Sequence, residues 1–168
     1  MTALRVLVCD DSLTYAAALR RMLEYDLDIT VPAVCTTAEE AIAAVPRIEP
    51  DLVTMDVELP GMGGIEAVGE IMSSRPLPIL VLSGYVGPGT EKAAAALAAG
   101  ALDVLAKDDL DLLDPAGAAG AAPGGVAAAA AAAAASAAAC SSASRLACSS
   151  ASRRARASAS SRAFSSAS

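Results

Sequence analysis

Short apolar runs alternate along this chain with stretches whose apolar residues recur every three or four positions, and the alternation continues up to Lys107. Leu4-Arg5-Val6-Leu7-Val8-Cys9 is β-branched and apolar and stops at Asp10-Asp11, as a buried strand would. Ser12 then caps a helix that places Leu13, Ala16, Ala17, Leu19 and Leu23 at helical spacing and gives out near Tyr25-Asp26. A second strand is predicted from Ile29 to Val34. Thr37-Ala38-Glu39-Glu40 reads as a capping box, with the Thr37 hydroxyl taking one free amide and Glu40 reaching back to another, and its helix is expected to end at Pro46-Arg47. The third strand, Asp51 to Asp56, again finishes in an acid; Pro60 to Gly64 supply a turn before a helix from Ile65 to Met72. A fourth strand, Pro78 to Leu82, ends at Ser83. After a loop from Gly84 to Gly89, an alanine-rich helix runs from Glu91 to Ala99 and stops at Gly100, and a fifth strand from Leu102 to Ala106 leads to Lys107. Five short apolar strands separated by helices indicate βαβ units, hence an α/β, doubly wound, five-stranded parallel sheet covered on both faces.

Beyond Lys107 the pattern fades. Asp109 to Leu113 suffices for one or two helical turns, and Pro115, Gly117, Gly120, Pro123, Gly124 and Gly125 oppose a continuing helix. From Val126 the chain is alanine, serine and arginine, with helix propensity over Ala127 to Ala139 but almost no large apolar side chain to offset the entropy of folding. The expected organisation is one domain over residues 1–114 and a low-complexity, disordered tail over 115–168. Charge follows the same division: residues 1–114 hold all 19 acids and seven bases, a net −12, and the tail holds five arginines and no acid.

Composition narrows the chemistry. The absence of histidine excludes Ser-His-Asp and Cys-His triads, and four scattered cysteines without Cys-x-x-Cys spacing exclude the usual closed zinc sites. Cys9 lies in an apolar run, where a reduced thiol packs as a small hydrophobe, so a reducing cytoplasm is the expected compartment. Met1 to Leu7 lack the form of a signal peptide, and Ala127 to Ala139 are too short and too weakly apolar to insert in a bilayer.

Asp10, Asp11, Asp56, Ser83 and Lys107 each follow the last apolar residues of strands one, three, four and five. In an open parallel sheet those carboxyl ends share one edge, where ligand crevices form. Singly, each has an ordinary explanation: an acid after a strand caps a helix, a serine lies in a loop, a lysine is solvated. Together they place three carboxylates where their repulsion calls for a cation, and magnesium suits because it accepts one or two carboxylates and keeps waters and a phosphate oxygen. Three acids, one divalent ion and one lysine balance in formal charge. A carboxylate in that setting is a nucleophile toward a phosphoryl group.

These residues resemble the receiver domain of two-component response regulators. Cys9-Asp10-Asp11-Ser12, Met55-Asp56-Val57-Glu58-Leu59-Pro60-Gly61-Met62-Gly63-Gly64, Ser83 and Ala106-Lys107 match its motifs in order and spacing. Val53 to Gly61 and Ile71 to Ser83 look specifically like the receiver of chemotaxis protein-glutamate methylesterases. The resemblance covers residues 4 to about 110 and implies a flavodoxin-like receiver fold. It implies further that Asp56 accepts phosphate from a histidine kinase of the chemotaxis type, that Asp11, Asp56 and the Glu58 carbonyl bind magnesium with Asp10 assisting through water, that Lys107 holds the acyl phosphate, and that Ser83 turns toward it. Three positions depart from the pattern: Val104 replaces an aromatic residue, Asp108 a proline, and Gly63 an aspartate or asparagine.

The resemblance implies a phosphoacceptor in signalling and not an enzyme, because a methylesterase needs a histidine and a Gly-x-Ser-x-Gly elbow that this chain lacks. A truncated or frameshifted methylesterase retaining its receiver is the alternative that the repetitive tail suggests. A haloacid dehalogenase-type phosphatase is less suited, since it needs Asp-x-Asp where Asp10 and Asp11 are adjacent. Nucleic-acid binding through Arg145, Arg153, Arg154, Arg156 and Arg162 is disfavoured by the missing aromatics and the acidic first 114 residues.

Overall fold

In the computed structural model, residues 3–84 and 90–110 are described. Their elements are β1 (Leu4–Cys9), α1 (Leu13–Leu23), β2 (Ile29–Cys35), α2 (Ala38–Ile48), β3 (Leu52–Asp56), α3 (Gly64–Ser74), β4 (Ile79–Ser83), α4 (Glu91–Ala99) and β5 (Asp103–Ala106), followed by a 3-10 turn at Lys107–Asp109. The five strands are all parallel, in the order β2-β1-β3-β4-β5. This is the expected doubly wound sheet. The expectations for Gly84 to Gly89 fall on described residues only at Gly84, and those for the tail lie outside the described residues.

Strand alternation decides which face each side chain joins. Leu7, Cys9, Val53, Met55, Ile79 and Val81 point to one face, where α2, α3 and α4 cover them with Ala41, Val45, Val68, Ile71 and Ala96. Val6, Val8, Leu52, Leu80 and Leu82 point to the other, against Ala16, Leu19 and Leu23 of α1. β3, β4 and residues 6–9 of β1 are covered from both sides, and each bears on both faces the apolar side chains that such burial requires.

Local chemistry moves several boundaries from the sequence expectation. α1 stops at Leu23, two residues early, because Asp26 closes a tight turn by accepting from the Asp28 N–H at 3.0 Å. α2 passes through Pro46 to Ile48: the proline removes a single rung, and Glu49, in the left-handed region at φ 50°, closes the helix by donating its N–H to the Val45 carbonyl. At its start the Thr37 hydroxyl accepts from the Glu40 N–H at 3.2 Å, and Glu40 reaches one residue further back than a capping box requires, to the Thr36 N–H at 2.8 Å.

In β2 the pairing with β1 shifts between Arg5 and Leu7, whose partners are Thr30 and Ala33. One extra residue of β2 is accommodated there, beside Pro32, which has no N–H to give and is tolerated on this edge strand. The bulge reverses the alternation, so that Ile29 and Val31 face α1 whereas Ala33 and Cys35 face α2.

Gly100 and Gly64 are among the glycines that the backbone requires. Gly100 ends α4 at φ 114°, as the sequence indicates. At Gly64, the first residue of α3, a Cβ would overlap the carbonyl oxygen of Asp56. Gly64→Ala should therefore destabilise the fold by about 1–3 kcal/mol, from overpacking against backbone that cannot yield. Urea unfolding of both chains checks it, and an unchanged midpoint would show that α3 moves freely relative to β3.

Candidate functional site

The parallel sheet brings the carboxyl ends of β1, β3, β4 and β5 to one edge, and the polar residues that follow those strands meet there. Asp10 follows β1, is fully buried, and uses its two oxygens differently. Oδ1 accepts from the Ser12 N–H at 2.9 Å, which fixes the turn into α1, while Oδ2 accepts from Lys107 Nζ at 2.6 Å. Asp56 repeats the arrangement at the end of β3: Oδ1 accepts from the Glu58 N–H at 3.2 Å and Oδ2 from Lys107 Nζ at 2.7 Å. The ammonium of Lys107 thus bridges two buried carboxylates. Asp11 is exposed, and one carboxylate oxygen from each of Asp10, Asp11 and Asp56 lies within 4.8 Å of the others.

Ser83 is buried at the end of β4, paired in register with Ala106, the residue before Lys107. All the side chains predicted for the site therefore stand at one sheet edge. Glu58 lies in the turn after β3, and its exposed side chain pairs with Lys92 of α4 at 3.0 Å. Two further residues escaped the sequence reading. Tyr15, one turn into α1, places its ring 4.4 Å from Lys107 Nζ, a cation–π contact on the third side of the ammonium. Glu39 of α2 accepts from the Met62 N–H at 3.2 Å and so steadies the loop after Asp56. Helical spacing shows that Tyr15 faces inward, but not that β5 delivers a lysine to it.

The electrostatics follow from burial. Desolvation raises the Asp10 carboxyl above its ordinary value of 3.8, against the lowering effect of its hydrogen bonds from Lys107 and Ser12. Burial alone would lower Lys107, yet its bonds to Asp10 and Asp56 prevail and raise it. Burial, then the charges of Asp10, Asp56 and Asp108, push the Tyr15 phenol up. Its hydroxyl is buried without a hydrogen-bond partner among the described residues. A second cation would relieve the excess negative charge, and the three clustered carboxylates are hard oxygen donors of the type that magnesium selects, so the donor set fits that ion.

Because the folded protein holds a proton on Asp10 more tightly than the unfolded chain does, ionised Asp10 costs stability at neutral pH, a cost that falls as pH drops through the raised pKa. Asp10→Asn should accordingly melt at a higher temperature than the parent at pH 7 in chelator. The gap should close toward pH 4, as Asp10 itself becomes neutral. Thermal unfolding at several pH values checks this, and a gap that widens on acidification would contradict the assignment.

Comparison with known proteins leads to one family. Residues 6–114 match the response regulator receiver domain. A protein-glutamate methylesterase/protein-glutamine glutaminase of Paramagnetospirillum magneticum is 46% identical over 105 residues, which are 62% of this chain and 29% of that protein. The corresponding protein of Shewanella frigidimarina is 41% identical over 105 residues, 62% of this chain and 26% of its own length. The chain thus spans less than a third of the curated relatives it matches. Among solved structures, the response regulator domain of Thermotoga maritima CheB aligns with a TM-score of 0.63 and 30% identity, covering 70% of this chain and 89% of its own. The family match takes in well over half of the sequence and includes every strand end described above, and the protein accordingly belongs to the response regulator receiver domain family.

Proposed function

We propose that Asp56 is the phosphoacceptor of a two-component phosphorelay, receiving its phosphoryl group from a phosphohistidine of a chemotaxis-type histidine kinase. The observation that carries this reading is a carboxylate only 3% exposed, at the end of β3, sharing one ammonium with a second buried acid and standing beside a third. Asp10, Asp11, Asp56 and the backbone carbonyl of Glu58 would hold magnesium, which when bound supplies charge neutralisation at the phosphoryl oxygens.

The protein's own groups do the rest. Glu58 N–H fixes Oδ1 of Asp56, and Lys107 fixes Oδ2, so the carboxylate is oriented before any donor arrives. Lys107 is already placed to pair with the charge that phosphorylation adds, and Ser83, at the end of the adjacent strand, is read as the hydroxyl that turns toward it. Similarity to protein-glutamate methylesterases supports a place in chemotaxis signalling. We assign no esterase chemistry to the chain, which has no histidine and matches those enzymes over about their receiver portion alone. Residues 1–114 are read as the phosphoaccepting unit, in a cytoplasmic setting. Among the described residues no helix is long and apolar enough to cross a membrane.

Two substitutions test the reading. Asp56→Asn keeps the shape and removes the nucleophile, and should abolish labelling by a phosphohistidine donor or a small acyl phosphate. Asp51→Asn, which alters an exposed acid that accepts from the Arg5 N–H, should label normally. Phosphate mapped to another residue of Asp56→Asn would end the assignment. Asp11→Ala should weaken magnesium binding by roughly tenfold or more through the loss of one direct oxygen, whereas Asp10→Ala should do less. Calorimetry distinguishes them; unchanged affinity in both would reduce the acid pair to a helix-entry turn.

A further inference from the structure

Cys9 and Cys35 play no part in the function proposed above, yet the sheet sets them side by side. They are register partners at the ends of β1 and β2, both buried and both in the cluster under α2. Neighbouring strands lie about 4.8 Å apart. That spacing is inside the roughly 4.4–6.8 Å range of Cα separations that a disulfide accepts. The Asp10 N–H donates to the Cys35 carbonyl at 3.0 Å, so the backbone at this point is already pinned in register. We propose that Cys9 and Cys35 form an intramolecular dithiol that a hydroperoxide converts to a disulfide, a modification site joining β1 to the edge strand β2 immediately before Asp10.

Access favours one order of events. β2 is the outer strand of the sheet, and Cys35 is 5% exposed against 1% for Cys9. Cys35 sulfur attacks the peroxide, the O–O bond breaks, and a sulfenic acid and one water result. Cys9 sulfur then attacks the sulfenic sulfur, the S–O bond breaks as the S–S bond forms, and the departing hydroxyl leaves with the Cys9 proton as a second water. Two thiols are oxidised and one peroxide is reduced. The nearby partner is what diverts the sulfenic acid from further oxidation.

The test uses the full chain with Cys140→Ser and Cys148→Ser, folded and exposed to a molar excess of hydrogen peroxide, followed by blocking of free thiols and non-reducing tryptic mapping. The expected result is an intact mass lower by about 2 Da, a linked pair of peptides 6–20 and 22–47, and reversal of both by dithiothreitol. In Cys35→Ser the link should vanish while labelling with acyl phosphate persists. Blocked thiols at both positions, linkage only between separate chains, or sulfinic acid on one cysteine without a link would overturn the proposal. Such a failure would leave the assignment of Asp56 untouched, because the readout is the bond and not phosphorylation.

Discussion

One ammonium group holds this site together. Lys107 lies 97 residues from Asp10 and 51 from Asp56, and its two hydrogen bonds tie the end of β5 to the ends of β1 and β3. Two buried carboxylates that close would repel each other in a medium of low dielectric, so the fold can bury them only if a cation is buried with them. Lys107 meets that need, and the face of Tyr15 surrounds it on a further side. When Asp11 is counted the cluster remains two positive charges short of neutral, the charge that a divalent ion carries.

The remaining geometry serves to keep those charges in place. Asp10 and Asp56 each give one oxygen to a backbone N–H two residues ahead and the other to Lys107, so neither can rotate without losing a partner. α3 starts so close to β3 that only a glycine fits against the Asp56 carbonyl, and the turn between them is held by Glu39 from α2 and by the Glu58–Lys92 pair from α4. The exposed pair adds little to stability by itself. Its place in the fold is to hold the rim of a site whose floor is rigid.

The strands, the helices between them and the gathering of Asp10, Asp11, Asp56, Ser83 and Lys107 at one edge were legible in the chain, because a parallel sheet with helical crossovers sends every carboxyl end to the same side. What could not be read was which contacts those residues make. Tyr15 satisfies the helical pattern equally well whether it meets a leucine or a lysine, since periodicity reports burial and not the identity of the neighbour. Pro46 read as a helix end because proline generally opposes helix interiors, but α2 loses only one rung in its last turns and packing of Val45 carries it onward.

β2 shows the division most clearly. Local sequence determined that Ile29 to Val34 is an extended, β-branched segment on which every second residue shares a face, an alternation that carries on to the next residue, Cys35. On that rule Cys35 belongs with Ile29 and Val31, facing α1. The tertiary structure decided otherwise: the extra residue beside Pro32 is absorbed where β2 pairs with β1, and Ala33 and Cys35 turn to the α2 side, bringing Cys35 onto Cys9. A bulge is a property of two strands in register, fixed by how the hydrogen bonds of the partner are satisfied along the whole pair. The sequence of one strand carries its periodicity but not that register, and so the thiol pair, like the shared lysine, exists only once the sheet has formed.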